Sequence, residues 1–233
     1  MITPDQLPLP LPVRAALGRE DYFVGQSNGL AVALLDNWQS WPNGKMVLVG
    51  PSGAGKTHLA HVWAAETGAA IVPAASLPQA DIPAHATAPI CVEDGDRIAG
   101  DRPAEEALFH LHNLALAQRQ PLLVTARSAP SLWPLVIPDL KSRMEGTQTA
   151  TLPDPDDTLL AAVIAKMLAD RQCVPAADVI PYLVRHMPRS FAMARALVTA
   201  LDANAMGRPK GITRSLARDI LARLDPGQRP EAE

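Results

Sequence analysis

Eight consecutive residues constrain this chain more than any others: Gly50-Pro51-Ser52-Gly53-Ala54-Gly55-Lys56-Thr57. They satisfy G-x-x-x-x-G-K-[ST] in full. A short apolar run, Met46-Val47-Leu48-Val49, precedes them. A helix-compatible segment from Thr57 to Thr67 follows and stops at Gly68. Strand, glycine-rich turn and helix, in that order, are what a phosphate-binding loop requires. Its glycines let backbone N–H groups turn toward phosphate oxygens, and the helix N-terminus adds partial positive charge. Lys56 would reach the β- and γ-phosphates, and Thr57 would offer its hydroxyl to Mg²⁺. The expected ligand is a nucleoside diphosphate or triphosphate, ADP or ATP.

The chain has 233 residues, 48% hydrophobic and 19% charged, which suits one domain or two small ones. A net charge of −3 argues against the basic footprint of a protein devoted to sequence-specific DNA binding. The balance shifts locally. From Arg171 onward there are ten Lys and Arg against six Asp and Glu. That excess suits a solvated helical surface or one facing an acidic partner. Cys91 and Cys173 are far apart and in no metal-binding spacing, as expected for thiols in a reducing compartment. No apolar run approaches the ~18 residues of a membrane span. The N-terminus lacks the basic-then-apolar pattern of a secretory signal. The expectation is a cytoplasmic protein without a membrane partner.

Along the chain, residues 1–20 form an arm containing Gln6-Leu7-Pro8-Leu9-Pro10-Leu11-Pro12. Alternate prolines exclude helix there and favour an extended peptide. Its leucines either pack on the body or are presented to another protein. Residues 21–152 alternate helices and strands. A helix is expected from Asn28, as its N-cap, to about Trp38. Strands are expected at Met46–Val49, Ala69–Val72, Ile90–Val92 and Pro121–Thr125. A helix from Pro103 to Gln118 carries Ala104, Leu108, Leu111 and Ala115 on one face. Short strands that are apolar on both faces, alternating with helices, predict an α/β fold with a parallel sheet covered on both sides. Residues 153–224 read as helices only, near 156–170, 175–187, 190–205 and 213–224. Residues 225–233 read as a frayed tail.

Further side chains carry candidate chemistry. Glu93-Asp94 closes an apolar strand, where one carboxylate can hold Mg²⁺ through water and its neighbour can orient an attacking water. Glu93 is one methylene longer than the aspartate usual at the first position. After the fourth strand, Thr125 and Arg127 are alternative sensors of a γ-phosphate. Arg143, in Leu140-Lys141-Ser142-Arg143, has the planar, permanently charged guanidinium that suits a finger acting on a neighbour's phosphate. Arg189 could bring the helical part onto the phosphates. His58 and His61 share a helix face without a third ligand and read as packing or surface residues. His110 and His112, two apart, cannot face each other.

Taken together, these residues resemble the AAA+ core of the DnaA family of replication initiators, over roughly residues 20–224. The resemblance implies a P-loop NTPase core, a parallel sheet sandwiched by helices, followed by a small all-helical lid. Phe23-Val24-Gly25-Gln26-Ser27-Asn28 resembles the family's F-V-x-G-x-S-N segment beside the adenine pocket. The loop with His58-Leu59 resembles its G-x-x-G-x-G-K-[ST]-H-L. Leu140-Lys141-Ser142-Arg143 resembles its box VII, which carries the arginine finger, and Arg189 matches its lid arginine, sensor 2. The family's helix-turn-helix and N-terminal oligomerisation domains are not expected in this chain. Gln6-Leu7-Pro8-Leu9-Pro10-Leu11 instead resembles the Q-L-x-L-P-L clamp-binding peptide of the Hda-type regulatory inactivators of DnaA.

That subfamily resemblance implies a partnership. Gln6, Leu7, Leu9 and Leu11 would enter the groove of the DNA polymerase III β sliding clamp as an extended peptide. Residues Gly50, Ser52, Gly53, Ala54, Gly55, Lys56, Thr57, Glu93 and Asp94 would hold nucleotide and Mg²⁺, with Thr57 and Glu93 toward the metal. Phe23 and Val24 would flank the base, and Arg189 would reach the nucleotide from the lid. Arg143 would act in trans on ATP held by DnaA, with Asp94 in a catalytic role at this chain's own site and weak intrinsic hydrolysis. The result would be negative regulation of replication initiation, with homo-oligomers as a further option. Two alternatives remain: an adaptor of the helicase-loader branch, binding DNA or a helicase, and an independent ATPase.

Overall fold

The computed structural model describes residues 19, 22–205 and 211–225. The arm residues Gln6, Leu7, Leu9 and Leu11 lie outside them. A sheet-containing part comes first. Helix α1 (Gly29–Asp36) leads through two short 3-10 turns to strand β1 (Lys45–Val49). Then follow α2 (Lys56–Thr67), β2 (Ala70–Pro73), α3 (Ile82–His85), β3 (Ile90–Glu93), α4 (Arg102–Ala117), β4 (Leu122–Ala126), α5 (Pro138–Glu145) and β5 (Gln148–Thr151). All strand pairs are parallel, in the order β2-β3-β4-β1-β5.

Strand alternation builds two core layers from one sequence. Met46 and Leu48 of β1 face the side where Leu35, Trp41, Leu59 and Trp63 pack. Val47 and Val49 face the other, with Leu108, Leu111, Val124 and Trp133. Every residue of β1 and β4 is buried, as a central parallel strand requires. Helix ends follow local chemistry. Asp101 accepts from the Ala104 N–H and starts α4, with Pro103 in the first turn. Gly68 adopts φ 74° and stops α2, its N–H bonding the Ala64 carbonyl.

The chain then becomes helical: α6 (Asp157–Ala169), α7 (Val179–His186), α8 (Phe191–Ala205) and α9 (Arg214–Leu224). They share their own apolar cluster around Leu160, Ile164, Leu183, Leu197, Leu201 and Ile220. Asp156 caps α6 through the Leu159 N–H, and Thr213 caps α9 through that of Leu216.

Three elements exceed the sequence expectation: α3, a single turn started by Asp81, and β5 and α5. β5, Gln-Thr-Ala-Thr, has no apolar run, and only Ala150 in it is buried. It is a strand because it pairs with the edge of β1, Met46 to Val49 against residues 148 to 151. α5 is eight residues long and anchored in the core by Leu140 and Met144 alone. Asn28 also differs. It occupies the N-cap position of α1 without a capping bond. Its buried amide instead accepts from the Gly25 N–H at 2.7 Å and donates to the Phe23 carbonyl at 2.8 Å. Pinning that preceding segment satisfies the amide better than one exposed cap bond.

Candidate functional site

The glycine-rich turn leaves β1 at its C-terminal end, where ligands of parallel α/β sheets gather. Gly53 and Gly55 have φ of 83° and 97°, values that suit residues without a Cβ. A side chain at Gly50 would strike the Leu152 carbonyl. Lys56 begins α2, is buried, and its Nζ donates to the Gly50 carbonyl at 2.6 Å and the Pro51 carbonyl at 2.9 Å. Its ammonium therefore sits at the loop itself. Thr57 follows on the first turn, exposed. Burial pulls the Lys56 pKa down, while the charges of Asp94, Asp96 and Glu93 oppose that and Arg127 adds to it. Those four groups, at or just past the C-terminal ends of β3 and β4, thus all act on the charge of the lysine.

Glu93 ends β3, and Asp94 turns the chain with φ 57°. The Asp94 N–H donates to Thr125 Oγ1 at 3.1 Å, which ties the acidic pair to buried Thr125 on β4. Asp94 also meets Arg97 at 3.3 Å. Thr125 is thus joined to the acidic pair, while Arg127 is exposed nearby. Asp96 is a residue that sequence reasoning missed. Its Oδ1 is buried without a protein partner, and its charge on Lys56 ranks above that of Glu93. The signal was the Asp94-Gly95-Asp96 spacing, where a 3-10 turn begins directly after the acidic pair.

The helical part touches the loop directly. The Phe191 N–H donates to the Gly53 carbonyl at 2.9 Å. The Phe191 ring would lie 3.3 Å from a Cβ on Gly55, and Ser190 occupies the space where a Cβ on Gly53 would go. Arg189 does something else: its guanidinium pairs with Asp157 at 2.8 Å. Both line a cavity of about 490 Å³ with Phe23, Val24, Gly25 and Gln26. The 23–26 segment and Arg189 therefore share one cavity, and Ser190 and Phe191, which the sequence did not single out, are the loop's neighbours.

These residues fit a phosphate chain. Gly50, Gly53 and Gly55 have no room for side chains of their own, a buried ammonium stands at the loop, and the Thr57 hydroxyl follows it. Among the described residues no three His, Cys, Asp or Glu gather as a metal site.

Arg143 stands apart from this site. It is exposed, on the last turn of α5, with its guanidinium 5.4 Å from the centre of the Phe109 ring. Lys45, the first residue of β1, donates through Nζ to the Arg143 carbonyl at 3.3 Å. Gln148, just after α5, pairs opposite Met46. Arg143 therefore lies by the N-terminal end of β1, with the phosphate loop at the other. Five strand residues at ~3.3 Å each separate the two by roughly 16 Å.

No family model matches the sequence. Solved structures do. Domain III of the replication initiation protein DnaA from Thermotoga maritima aligns with 91% of this chain and 98% of its own, at TM-score 0.76 and 16% identity. The chain has the AAA+ fold of DnaA domain III. The replication initiator DnaA bound to AMPPCP and single-stranded DNA aligns at TM-score 0.67 and 19% identity, over 77% of this chain. This chain spans 62% of the length of that protein. The AAA domain of FIGL-1 in complex with ADP aligns at TM-score 0.60 and 16% identity, over 88% of this chain and 80% of its own. No helix among the described residues is long and apolar enough to cross a membrane.

Proposed function

We propose that this chain is a nucleotide-bound regulator of replication initiation that docks on the sliding clamp and stimulates ATP hydrolysis by DnaA. The observation that carries the reading is the separation of Arg143 from its own phosphate loop. An exposed guanidinium roughly 16 Å along β1 from that loop is offered to the nucleotide of another molecule. Such fingers are worth on the order of 10³–10⁵ in rate. A protein with the fold of DnaA domain III can meet DnaA as a further AAA+ subunit, so DnaA is the natural recipient. The loop of residues 50–57 binds ADP or ATP with Mg²⁺, held by Lys56, Thr57 and the Glu93-Asp94 pair. AMPPCP in one solved neighbour and ADP in another support that ligand class. Phe23 and Val24 flank the base. Residues 153–224 act as a lid, with Ser190 and Phe191 closing on the loop and Arg189 released from Asp157 toward phosphate. Support for the clamp comes from sequence: Gln6, Leu7, Leu9 and Leu11 alternate with prolines in a pattern that suits an extended recognition peptide.

The test is DnaA ATP hydrolysis with clamp loaded on DNA. Arg143→Ala should keep nucleotide affinity and abolish stimulation; full stimulation by that variant sinks the finger assignment. Gln6→Ala with Leu7→Ala should bind nucleotide normally and lose the clamp; undiminished clamp binding sinks the peptide assignment.

The DNA-bound DnaA neighbour and the Lys/Arg excess after Arg171 favour a second reading, an adaptor binding DNA or a helicase. Salt-dependent retention on single-stranded DNA by the purified protein would support it, and no retention at low salt would remove it.

A further inference from the structure

α5 carries Arg143 but has little apolar anchorage of its own. Polar groups hold it instead at both ends: Glu105 of α4 at its start, and Lys45 of β1, backed by His112 of α4, at its end. At the N-terminal end, Glu105 is fully buried. Its Oε2 accepts from the N–H groups of Val136 and Ile137, both at 2.9 Å, and its Oε1 accepts from Gly100 at 2.8 Å. Ile137 is the residue immediately before α5. At the C-terminal end, Lys45 Nζ lies 2.9 Å from His112 Nε2 and donates to the Arg143 carbonyl at 3.3 Å. Thr147 Oγ1 donates to the same carbonyl at 2.8 Å. Both Lys45 and His112 are buried.

The chemistry of the two ends is complementary. An anion meets the start of α5 and a cation its end, each the favourable sign for the helix dipole. Glu105 and His112 are seven residues apart, two turns of α4, and so share a face. Burial and the Lys45 charge hold the His112 pKa down to about 4, so its Nε2 keeps the lone pair that accepts from Lys45. α5 cannot slide along α4 without stripping a buried carboxylate or ammonium of its partners, which is costly.

We propose that Glu105 and the Lys45–His112 pair are positioning residues for Arg143: they fix the start of α5 against α4 and its end against β1, and so set where the guanidinium stands relative to a neighbour's phosphates. The inference rests on reading Arg143 as a finger acting in trans. Lys45 and His112 touch no substrate. They act only through the backbone carbonyl of the residue that does. A displacement of about 1 Å in a positioned group can cost up to a hundredfold in rate.

The test compares variants in the same clamp-dependent DnaA hydrolysis assay. Lys45→Met with His112→Phe replaces both polar partners by apolar groups of similar shape, which leaves no orphaned charge. Expected are a near-unchanged unfolding midpoint and nucleotide affinity, and an unchanged half-saturating DnaA concentration. The maximal stimulated rate should fall on the order of tenfold. His112→Gln, which keeps an acceptor for Lys45 Nζ, should retain most of that rate. Glu105→Gln, a second route should the double variant not fold, should also lower the maximal rate rather than raise half-saturation. Full stimulation by any folded variant other than His112→Gln, in a series where Arg143→Ala is inactive, overturns the positioning role alone. So does a change confined to half-saturation. Full stimulation by Arg143→Ala overturns the finger reading, and the positioning role falls with it.

Discussion

Lys45 and His112 place an ammonium 2.9 Å from an imidazole inside the protein, with no carboxylate between them. The arrangement is stable because the imidazole stays neutral. Burial first, then the Lys45 charge, lower the His112 pKa from 6.5 to about 4. Between those values the unfolded chain binds a proton that the folded one refuses. The contribution is therefore complete above pH 6.5 and is lost as the pH falls toward 4. At full size it is about 3 kcal/mol. His112→Gln should flatten the fall in unfolding free energy over that window relative to the unsubstituted protein, as measured by urea denaturation at successive pH values. Parallel curves for the two would show that His112 already titrates normally in the fold. Neither residue stood out in the sequence. The i, i+2 spacing of His110 and His112 was readable as two histidines on different sides of a helix, but not what the buried one would meet 67 positions away.

Among the elements, α4 does more than cover the sheet. Its apolar face, Ala104, Leu108, Leu111 and Ala115, packs into the core as the periodicity predicts. Glu105 lies next to that face and is equally buried, because the N–H groups of Gly100, Val136 and Ile137 satisfy its oxygens. Glu105→Gln turns one of those acceptors into a donor facing donors. It should cost about 1–3 kcal/mol, readable in the denaturation midpoint. An unchanged midpoint would mean that water, not these amides, satisfies the carboxylate. The apolar strands and long helices could be read from the chain because burial imposes period 2 or 3.6 on them. β5 and α5 could not. Gln148-Thr149-Ala150-Thr151 becomes a strand by pairing with β1, and residues 138–145 are held by partners distant in sequence.

For the whole molecule, the joint between the sheet part and the helical part runs through the phosphate loop. The Phe191 N–H bonds the Gly53 carbonyl, and Ser190 fills the space above Gly53. Gly53→Ala should therefore destabilise the protein by about 1–3 kcal/mol, from overpacking and from φ 83°. Ser190→Gly in the same chain should recover the packing share and leave the backbone share. A double-mutant cycle by calorimetry measures that coupling. Strict additivity would mean that the two parts do not press on each other at this point.

Residues 50–57 by themselves determined a glycine-rich loop of the phosphate-binding pattern between a strand and a helix, since the glycines, Lys56 and Thr57 depend on local backbone geometry and need only those flanking elements. The apolar periodicities likewise determined a parallel α/β sheet followed by helices. Only the tertiary structure decided that Ser190 and Phe191 stand at the rim of the loop, that the Asp96 charge acts on Lys56, and that Arg189 turns to Asp157. It alone set Arg143 at the far end of β1 and gave it a buried polar support. The physical reason is range. Backbone conformation and burial are written into neighbours along the chain, whereas the meeting of side chains tens of residues apart is fixed only when the layers pack.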